Sequence, residues 1–408
     1  MKFSESRLMT STSITRRQLL AATAASALGL GLTRTVRAAG GETPIKIALI
    51  TSLSGPFAAI GQSMRAGLEL LIQESGAMMG GRRVTLLVED DQGKPDEAVR
   101  KVRKLLSQDK ADVLCGVISA AVALAIRDIV ADAKALTFIS IAAANGLARE
   151  AASPYIFRPT KTSWMLGHTG ALWTYDKVAK DGGITLGADY AAGREYVGDF
   201  STTYRKQGGK LGQQLWTPLG TADFAPILMN LAALSPSFVY AFFAGADAVR
   251  FLQQMRDFKL QEKIRVVGPG ALFDQEDVLP AAGDAAIGGV STYHQSPGDP
   301  APTEFVALYK KARGRLPGEA STSAYATGQV IRAGIEAVAG DIAQKDKLKE
   351  RLLSAPVATA LGPMRFDPRN NQAILDIYVN EVRRGPDGNP LNMVVHTYPA
   401  VQDPGPKA

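Results

Sequence analysis

Small residues with free backbone donors follow two apolar, strand-like segments and could together bind a carboxylate. Residues 119–121 follow the apolar run 113–118 and open a helical pattern, and residues 142–144 follow the run 137–140. Unpaired N–H groups at a helix start attract an anion, and small side chains let it approach the main chain. The candidate contacts of this kind are Ser119, Ala120, Ala142, Ala143 and Ala144. The alternatives are an N-cap role for Ser119 and tight strand–helix packing by the alanines.

Aromatic and bulky apolar residues lie at other predicted strand ends and helix starts, where they could enclose a ring. In the strand 238–243 either Phe242 or Phe243 must face inward, because neighbouring strand residues point to opposite faces. We take Phe243 as the contact, and we expect the Tyr190 hydroxyl to add one hydrogen bond to a bound ring. The candidates of this group are Phe57, Ile60, Trp164, Tyr190 and Phe243. The alternative for each is packing in the core.

The residues that could act in catalysis lack the surroundings that catalysis needs. Ser54 and Ser119 are candidate nucleophiles, but neither lies in a Gly-x-Ser-x-Gly turn and no histidine is near them in sequence. The sequence has no Gly-x-x-x-x-Gly-Lys loop, and no Gly-x-Gly-x-x-Gly follows the first strand. Its three histidines are scattered without metal-ligand spacing. We therefore predict a non-enzymatic protein without a metal or cofactor.

Apolar strands alternate with amphipathic helices, and the pattern restarts once, which predicts an α/β protein with two similar halves. Each half would contain a parallel sheet covered by helices on both faces. A third block, from about residue 293, adds helices at 303–312 and 325–339, the segment 362–367 and a final strand at 374–379. The strands predicted in the first half are 45–50, 84–88, 113–118 and 137–140, and those in the second are 184–187, 211–216, 238–243 and 264–268.

The first 38 residues have the features of a twin-arginine-type secretory signal. They contain Arg16 and Arg17, a short Ala/Leu/Gly-rich core, and small residues at 38–39. The apolar core has about a dozen residues, fewer than a bilayer span requires. No cysteine lies near the expected cleavage site, so a lipid attachment is not predicted. We expect a soluble protein that is exported to the periplasm.

Net charge and cysteine content exclude some classes of function. The full chain has a net charge of +7, with 46 basic and 39 acidic residues. Because the signal segment holds six of the bases and one acid, the remaining chain is close to neutral, at about +2. A nearly neutral chain lacks the excess of basic residues that is typical of nucleic-acid-binding proteins. The single cysteine, Cys115, lies in an apolar run and is expected to be a buried thiol.

Several short motifs, in order, resemble the type I periplasmic solute-binding proteins of ABC transporters, in the branched-chain amino acid receptor branch. They are Ser54-Gly55-Pro56, Asp90-Asp91, residues 116–125, residues 189–193 and residues 362–367. The resemblance covers residues 45 to about 398. The segment Gly268-Pro269-Gly270, followed by Asp274-Gln275, is similar to that of relatives that bind aromatic carboxylic acids.

The resemblance implies two Rossmann-like lobes that the chain crosses three times. Lobe one would hold 44–162 and 293–365, lobe two 163–292 and 366–400, and a tail 401–408. The implied function is ligand capture in the interlobe cleft, followed by delivery to a membrane permease driven by its ATPase. By the same resemblance, residues 119–120 and 142–144 grip the ligand's carboxylate, Ser54 and Gly270 join the site, and the protein is a monomer.

Departures from the family pattern bear on the ligand. Amino-acid receptors of the family place hydroxyl groups at the positions of Ala120 and Ala144, and an acid for the ligand's ammonium soon after Pro269. Here the first acid after that strand is Asp274. Burial of an ammonium group without a carboxylate partner is costly. We therefore expect an aromatic carboxylic acid, with amino acid binding through Asp247 or Asp274 as the alternative.

Overall fold

The structure is a computed structural model that describes residues 43–296 and 304–406. The predicted signal segment, residues 1–38, lies outside the described residues. The described chain forms two α/β lobes, each built on one sheet of mostly parallel strands. Cys115 is buried as expected, and burial raises the pKa of its thiol to about 12.

The first sheet contains six strands in the order β2-β3-β1-β4-β5-β6. Strands β1, β3, β4, β5 and β6 are parallel, and β2 and β3 form a short antiparallel hairpin. The parallel strands are rich in Val, Ile and Leu because both faces of the sheet are covered. The six strands are β1 Ile45–Thr51, β2 Met78–Met79, β3 Arg82–Asp90, β4 Val113–Gly116, β5 Thr137–Ile139 and β6 Ile156–Phe157.

The second sheet contains nine strands, in the order β12-β13-β14-β11-β10-β9-β7-β8, with β15 paired to β14. Strands β7 to β11 are parallel, and β12 to β15 join them in antiparallel pairs. The strands are β7 Gly183–Ala188, β8 Leu211–Thr217, β9 Phe238–Phe242, β10 Arg265–Pro269, β11 Val290–Tyr293, β12 Val357–Thr359, β13 Gly362–Asp367, β14 Gln372–Arg384 and β15 Pro390–Val401.

Helices connect the parallel strands and cover the sheets. They are α1 Ala58–Glu74, α2 Pro95–Ser107, α3 Ala120–Asp132, α4 Ser163–Lys177, α5 Ala191–Lys206, α6 Ala225–Leu234, α7 Gly245–Asp257, α8 Leu279–Ala282, α9 Glu304–Arg313, α10 Glu319–Ala337 and α11 Lys345–Ser354. Helix α10 packs closely against α1, since a Cβ at Gly67 would lie 2.1 Å from the Ser321 carbonyl oxygen. This contact brings the start of α10 to the first sheet. None of the described helices has the length and apolarity that a bilayer span requires.

The chain passes between the two sheets in three places. It leaves the first sheet after β6, returns after β11 to form α9 to α11, and reaches the second sheet again through β13 and β14. The lobe boundaries, 44–162 with 293–365 and 163–292 with 366–400, stay a prediction. Part of the predicted tail is anchored, because Asp403 is buried and accepts hydrogen bonds from Arg149 and, at 2.8 Å, from Thr162.

The end of the chain differs most from the sequence-based expectation. The predicted final strand at 374–379 is part of a longer strand, β14, which forms a hairpin with the unpredicted β15. Helix α11 was also not predicted. Helix α10 begins at Glu319, six residues before the predicted helix start at 325. That difference matters because it places an acidic residue at the first position of the helix.

Candidate functional site

A small enclosed cleft lies where the carboxyl ends of strands from both sheets meet. It consists of a cavity of about 60 Å³ and a smaller one of about 20 Å³ that share four lining residues. Ligands of doubly wound sheets bind at this edge, where loops and helix starts converge. The residues that line the larger cavity are Phe57, Ile60, Ile118, Ala120, Ile141, Ala143, Lys161, Tyr190, Ala192, Tyr196, Phe242, Ala244, Ala271 and Glu319.

One side of the larger cavity is an aromatic wall. Tyr196 and Phe242 stack with their ring centroids 4.5 Å apart, and Tyr190 lies 6.1 Å from Phe242. Phe57, from the turn before α1, approaches the Tyr190 ring to 6.5 Å and so closes the wall from the other lobe. Burial raises the pKa of Tyr190 well above its usual range, so its hydroxyl stays protonated and can donate a hydrogen bond. This wall suits a flat apolar ring.

The opposite side carries the predicted small residues and a helix start. Ala120 is the first residue of α3, and Ala143 follows β5; both line the cavity. Ser119 holds the N-cap position and does not line the cavity. Its side chain makes no capping hydrogen bond, so the alternative of a side-chain cap is wrong. The first N–H groups of a helix have no partner within it. They are therefore suited to an anion at this end of the cavity.

Two charged residues that line the cleft, Lys161 and Glu319, were not predicted from the sequence. Lys161 lies just before α4 and is 2% exposed, and Glu319 is the first residue of α10 and is 8% exposed. The Lys161 ammonium donates to the Glu319 carboxylate and, at 3.2 Å, to the Ile141 carbonyl. Burial and the neighbouring Arg158 charge lower the pKa of Lys161 to about 7, and Asp274 acts in the opposite direction. A buried ion pair is thus available to a ligand.

Further acids lie at the smaller cavity. Asp274 and Asp277 line it together with Glu319, and burial and the neighbouring acidic groups raise the pKa of both aspartates. Asp274 is fully engaged, because its carboxylate accepts bonds from Tyr293 and from three backbone N–H groups at 2.7 to 2.9 Å. Asp247, which lines neither cavity, accepts from the Gly220 N–H at 2.8 Å and from Arg250.

The two other predicted alanines lie behind the cavity surface. The buried Arg158 guanidinium donates to the carbonyl oxygen of Ala144 at 2.8 Å and to that of Ala142 at 3.0 Å. Burial lowers the pKa of Arg158 to about 10. Ala142 and Ala144 do not line the cleft, and their carbonyls instead fix the shape of the loop that presents Ala143.

Four other predicted contacts are placed outside the cavity lining. Phe243 packs against Phe224 and Phe251, with ring centroids 5.1 and 5.0 Å away, on the face of β9 opposite to Phe242. We therefore correct the assignment of this strand's inward-facing aromatic residue from Phe243 to Phe242. The other three are Ser54, Trp164 and Gly270. Ser54 is exposed and donates a hydrogen bond to Asp90 at 2.6 Å. The Trp164 ring stacks on His168 with centroids 4.3 Å apart, and Gly270 lies against the Tyr293 ring.

A second polar cluster joins the two lobes beside the cleft. Asn145, after β5, donates its backbone N–H to Glu195 at 3.0 Å and its side-chain amide to Asp199 at 2.7 Å. Its side-chain oxygen accepts from the Trp164 N–H at 2.9 Å. Burial raises the pKa of Asp199 to about 6 and also raises the pKa of Glu195. The described residues contain no group of acids, histidines or cysteine arranged to hold a metal ion.

Comparison with known proteins gives this cleft its context. The periplasmic binding protein family model matches residues 44–389. The chain belongs to that family. A homologue from Brucella melitensis, Leu/Ile/Val-binding protein homolog 6, is 29% identical over 374 residues, which are 89% of this chain and 94% of the homologue. This membership confirms the resemblance inferred from the sequence motifs.

Two solved structures share the fold along nearly their whole length. An ABC transporter substrate-binding protein from Sphaerobacter thermophilus has a TM-score of 0.82 and 32% identity, covering 88% of this chain and 99% of its own. A solute-binding protein from Rhodopseudomonas palustris BisB5, in complex with 3,4-dihydroxy benzoic acid, has a TM-score of 0.84 and 28% identity, covering 89% and 99%. The predicted two-lobe α/β fold is thereby confirmed.

Proposed function

We propose that this protein is the exported substrate-binding component of an ABC importer, and that it captures a small aromatic carboxylic acid in the interlobe cleft. The observation that carries this proposal is one cavity with an aromatic wall on one side and a buried ammonium, Lys161, on another. A ring and a carboxylate are the two groups that such a cavity accommodates. The structural neighbour bound to 3,4-dihydroxy benzoic acid supports the same ligand class.

The proposed contacts combine predicted residues with those that the structure adds. From the sequence we retain the lining residues Phe57, Ile60, Ala120, Ala143 and Tyr190, together with Ser119, which lies beside them at the N-cap of α3. To these we add Tyr196, Phe242, Lys161 and Glu319. The ligand's carboxylate would dock beside the start of α3, and its ring would lie on the aromatic wall. Cleft closure would then bury both parts of the ligand from water.

The proposed mechanism is hinge closure between the lobes. The ligand would bind the first lobe, and the second lobe would close over it about the three crossing segments. The contacts of Asn145 with Glu195 and Asp199 would form as the cleft shuts. The closed protein, acting as a monomer in the periplasm after export through a twin-arginine-type signal, would present its ligand to the permease. The permease's ATPase would supply the energy.

The second candidate function is binding of a branched-chain amino acid or an amide. It is favoured by the homologue named as a Leu/Ile/Val-binding protein and by the acids at the smaller cavity. Asp274 and Asp247 are engaged by other groups, so Glu319 or Asp277 would have to receive the ligand's ammonium. Ligand sensing without transport is a further alternative that uses the same cleft.

Thermal melting of the chain from residue 39 onward, against a panel of ligands, tests the proposal. The panel holds benzoate, 3,4-dihydroxybenzoate, hydroxycinnamates, leucine, valine, short amides and dicarboxylates. A ligand at 100 times its dissociation constant adds about 2.7 kcal/mol to the free energy of unfolding, and so raises the melting temperature. We expect a shift with the aromatic acids and recovery of the ligand unchanged. A shift with leucine alone would replace the aromatic proposal by the second candidate.

A further inference from the structure

The Lys161–Glu319 pair presents an unusual arrangement for a site that binds an anion. Among the described residues that line either cavity, Lys161 alone carries a positive charge. Its ammonium has three donors, of which one meets Glu319 and one the Ile141 carbonyl. The Glu319 carboxylate therefore occupies a position that the carboxylate of an acidic ligand would also favour.

This inference rests on the function proposed above. We propose that Lys161 binds the ligand's carboxylate and that Glu319 is an intramolecular competitor for the same ammonium group. The aromatic wall offers no charge to an anion, and a helix start offers only about half an elementary charge. Burial of a carboxylate without a cationic partner is strongly unfavourable. Lys161 and Ala120 line the same cavity, so one carboxylate can meet both the ammonium and the start of α3.

Charged groups surround the Lys161–Glu319 pair. Their charges should couple binding of a ligand's carboxylate, the second one at Lys161, to the uptake of a proton. Glu319 donates its backbone N–H to Asp274 at 2.7 Å and shares the smaller cavity with Asp277. On the other side, Arg158 and the buried His294 lie close enough to Lys161 to interact with its charge. The charged and titratable groups around the pair are Arg158, Asp274, Glu276, Asp277, His294, Arg315 and the tyrosines Tyr190, Tyr196 and Tyr293.

Charge balance predicts what happens when an acidic ligand arrives. Two carboxylates, the ligand's and that of Glu319, would share one ammonium in a site from which water is excluded. Since like charges at close range disfavour ionisation, we expect uptake of about one proton per ligand near neutral pH.

A zwitterionic ligand would behave differently at the same pair. The carboxylate of an α-amino acid would meet Lys161, and its ammonium would meet Glu319. The ligand would then supply both charges, and no proton would be needed. Substitution of Glu319 should therefore affect the two candidate ligand classes in opposite directions. It should strengthen binding of an aromatic acid and weaken binding of an α-amino acid.

Isothermal titration calorimetry with 3,4-dihydroxybenzoate and its uncharged amide, 3,4-dihydroxybenzamide, tests this inference. The proteins are the wild type, Glu319→Gln, and the double variant Lys161→Met with Glu319→Gln, which leaves no buried charge unpaired. In Glu319→Gln we expect about tenfold tighter binding of the acid and little change for the amide, because the competitor is gone. In the double variant the preference for acid over amide should disappear.

Proton uptake is measured by repeating the wild-type titration in two buffers of different ionisation enthalpy. The control is the double variant Glu89→Gln with Lys101→Met, which removes a pair outside the cleft and should bind like the wild type. Equal acid affinity in all variants, or zero proton uptake, would overturn the inference and leave the proposed function standing. Weaker acid binding in Glu319→Gln would also overturn it. A wild type that binds no aromatic acid would overturn the proposed ligand class and this inference with it.

Discussion

The side-chain amide of Asn145 donates a 2.7 Å hydrogen bond to the Asp199 carboxylate, and this bond links the loop after β5 to helix α5 on the second sheet. The backbone N–H of Asn145 also reaches Glu195, one helical turn from Asp199. Both bonds join the two lobes beside the cleft without lining it. They therefore favour the closed arrangement whether or not a ligand fills the cavity.

Replacement of Asn145 by Ala should shift the protein towards a more open arrangement. A hydrogen bond to a charged group contributes about 1.5–3 kcal/mol. Because the bond joins the lobes, its loss should weaken ligand affinity about tenfold and raise the radius of gyration in small-angle scattering. Asn389→Ala, which removes a contact with Asp387 in the turn before β15, is the control. Unchanged affinity and scattering in Asn145→Ala would contradict a role in closure.

The neighbouring residues Phe242 and Phe243 should separate binding from stability. Phe242→Ala removes part of the aromatic wall and should lower the affinity for 3,4-dihydroxybenzoate at least about tenfold. Phe243→Ala leaves a cavity between Phe224 and Phe251 and should cost about 3–5 kcal/mol of unfolding free energy. The folded fraction of Phe243→Ala should keep its ligand affinity. Chemical denaturation and calorimetry measure both effects, and the opposite pattern would restore Phe243 to the site.

The fold was largely predictable from sequence, and the aromatic side of the site was predictable in part. Alternating apolar strands and helices predicted both parallel sheets. Tyr190, predicted at a strand end, and Phe57, predicted at the entry of the first helix, both line the cavity, whereas Trp164 and Phe243 do not. Strand alternation showed that one of Phe242 and Phe243 faces the cleft, but not which one. That choice depends on how β9 pairs with β7, where Phe242 lies beside Gly187. Such a register is a property of the assembled sheet.

Lys161 and Glu319 were not predicted because they are 158 residues apart in sequence and meet only where the start of α10 lies beside the first crossing. Each had a weak local signal. Lys161 follows Arg158 and Pro159 just before a helix, and Glu319 follows Pro317 and Gly318, a typical helix start. Charged side chains next to connecting segments and helix starts are usually exposed to solvent. The local sequence therefore did not show that Lys161 and Glu319 form a buried pair. Strand β15 was missed because it contains two prolines, Pro390 and Pro399, and prolines argue against a strand in sequence-based prediction.

Removal of the Asp403 carboxylate should destabilise the protein although it lies near the chain's end. Asp403 is 1% exposed and accepts hydrogen bonds from Arg149 and Thr162, so it fixes the segment after β15 to the first crossing. Asp403→Ala should cost about 3 kcal/mol, the effect of breaking a largely buried pair. The exposed Asp387→Ala serves as the control for loss of one carboxylate. Melting temperatures of both variants check this prediction, and equal values would show that the segment is not anchored.

The pKa of Asp199, raised to about 6 by burial, should make stability depend on pH between about 4 and 6. In the folded protein Asp199 holds its proton at pH values where the unfolded chain has lost it, since the ordinary value is 3.8. The folded state therefore binds more protons in this window, and this group's contribution to stability falls as the pH rises. Asp199→Asn removes the ionisable group, and with it this loss of stability at higher pH, while it keeps a side chain that can hydrogen-bond with Asn145.

The variant should accordingly be more stable than the wild type at pH 7, by about 2–3 kcal/mol, and nearly equal to it at pH 4. Denaturant titrations of both proteins at pH 4, 5, 6 and 7 measure the difference. Asp257→Asn, at the exposed end of α7, provides the matched control for the loss of one carboxylate. A constant difference for Asp199→Asn would mean that Asp199 ionises at the same pH in the folded and unfolded chains. In that case burial would be balanced by the hydrogen bond from Asn145 and by the charge of Arg149, which act on the pKa in the opposite direction.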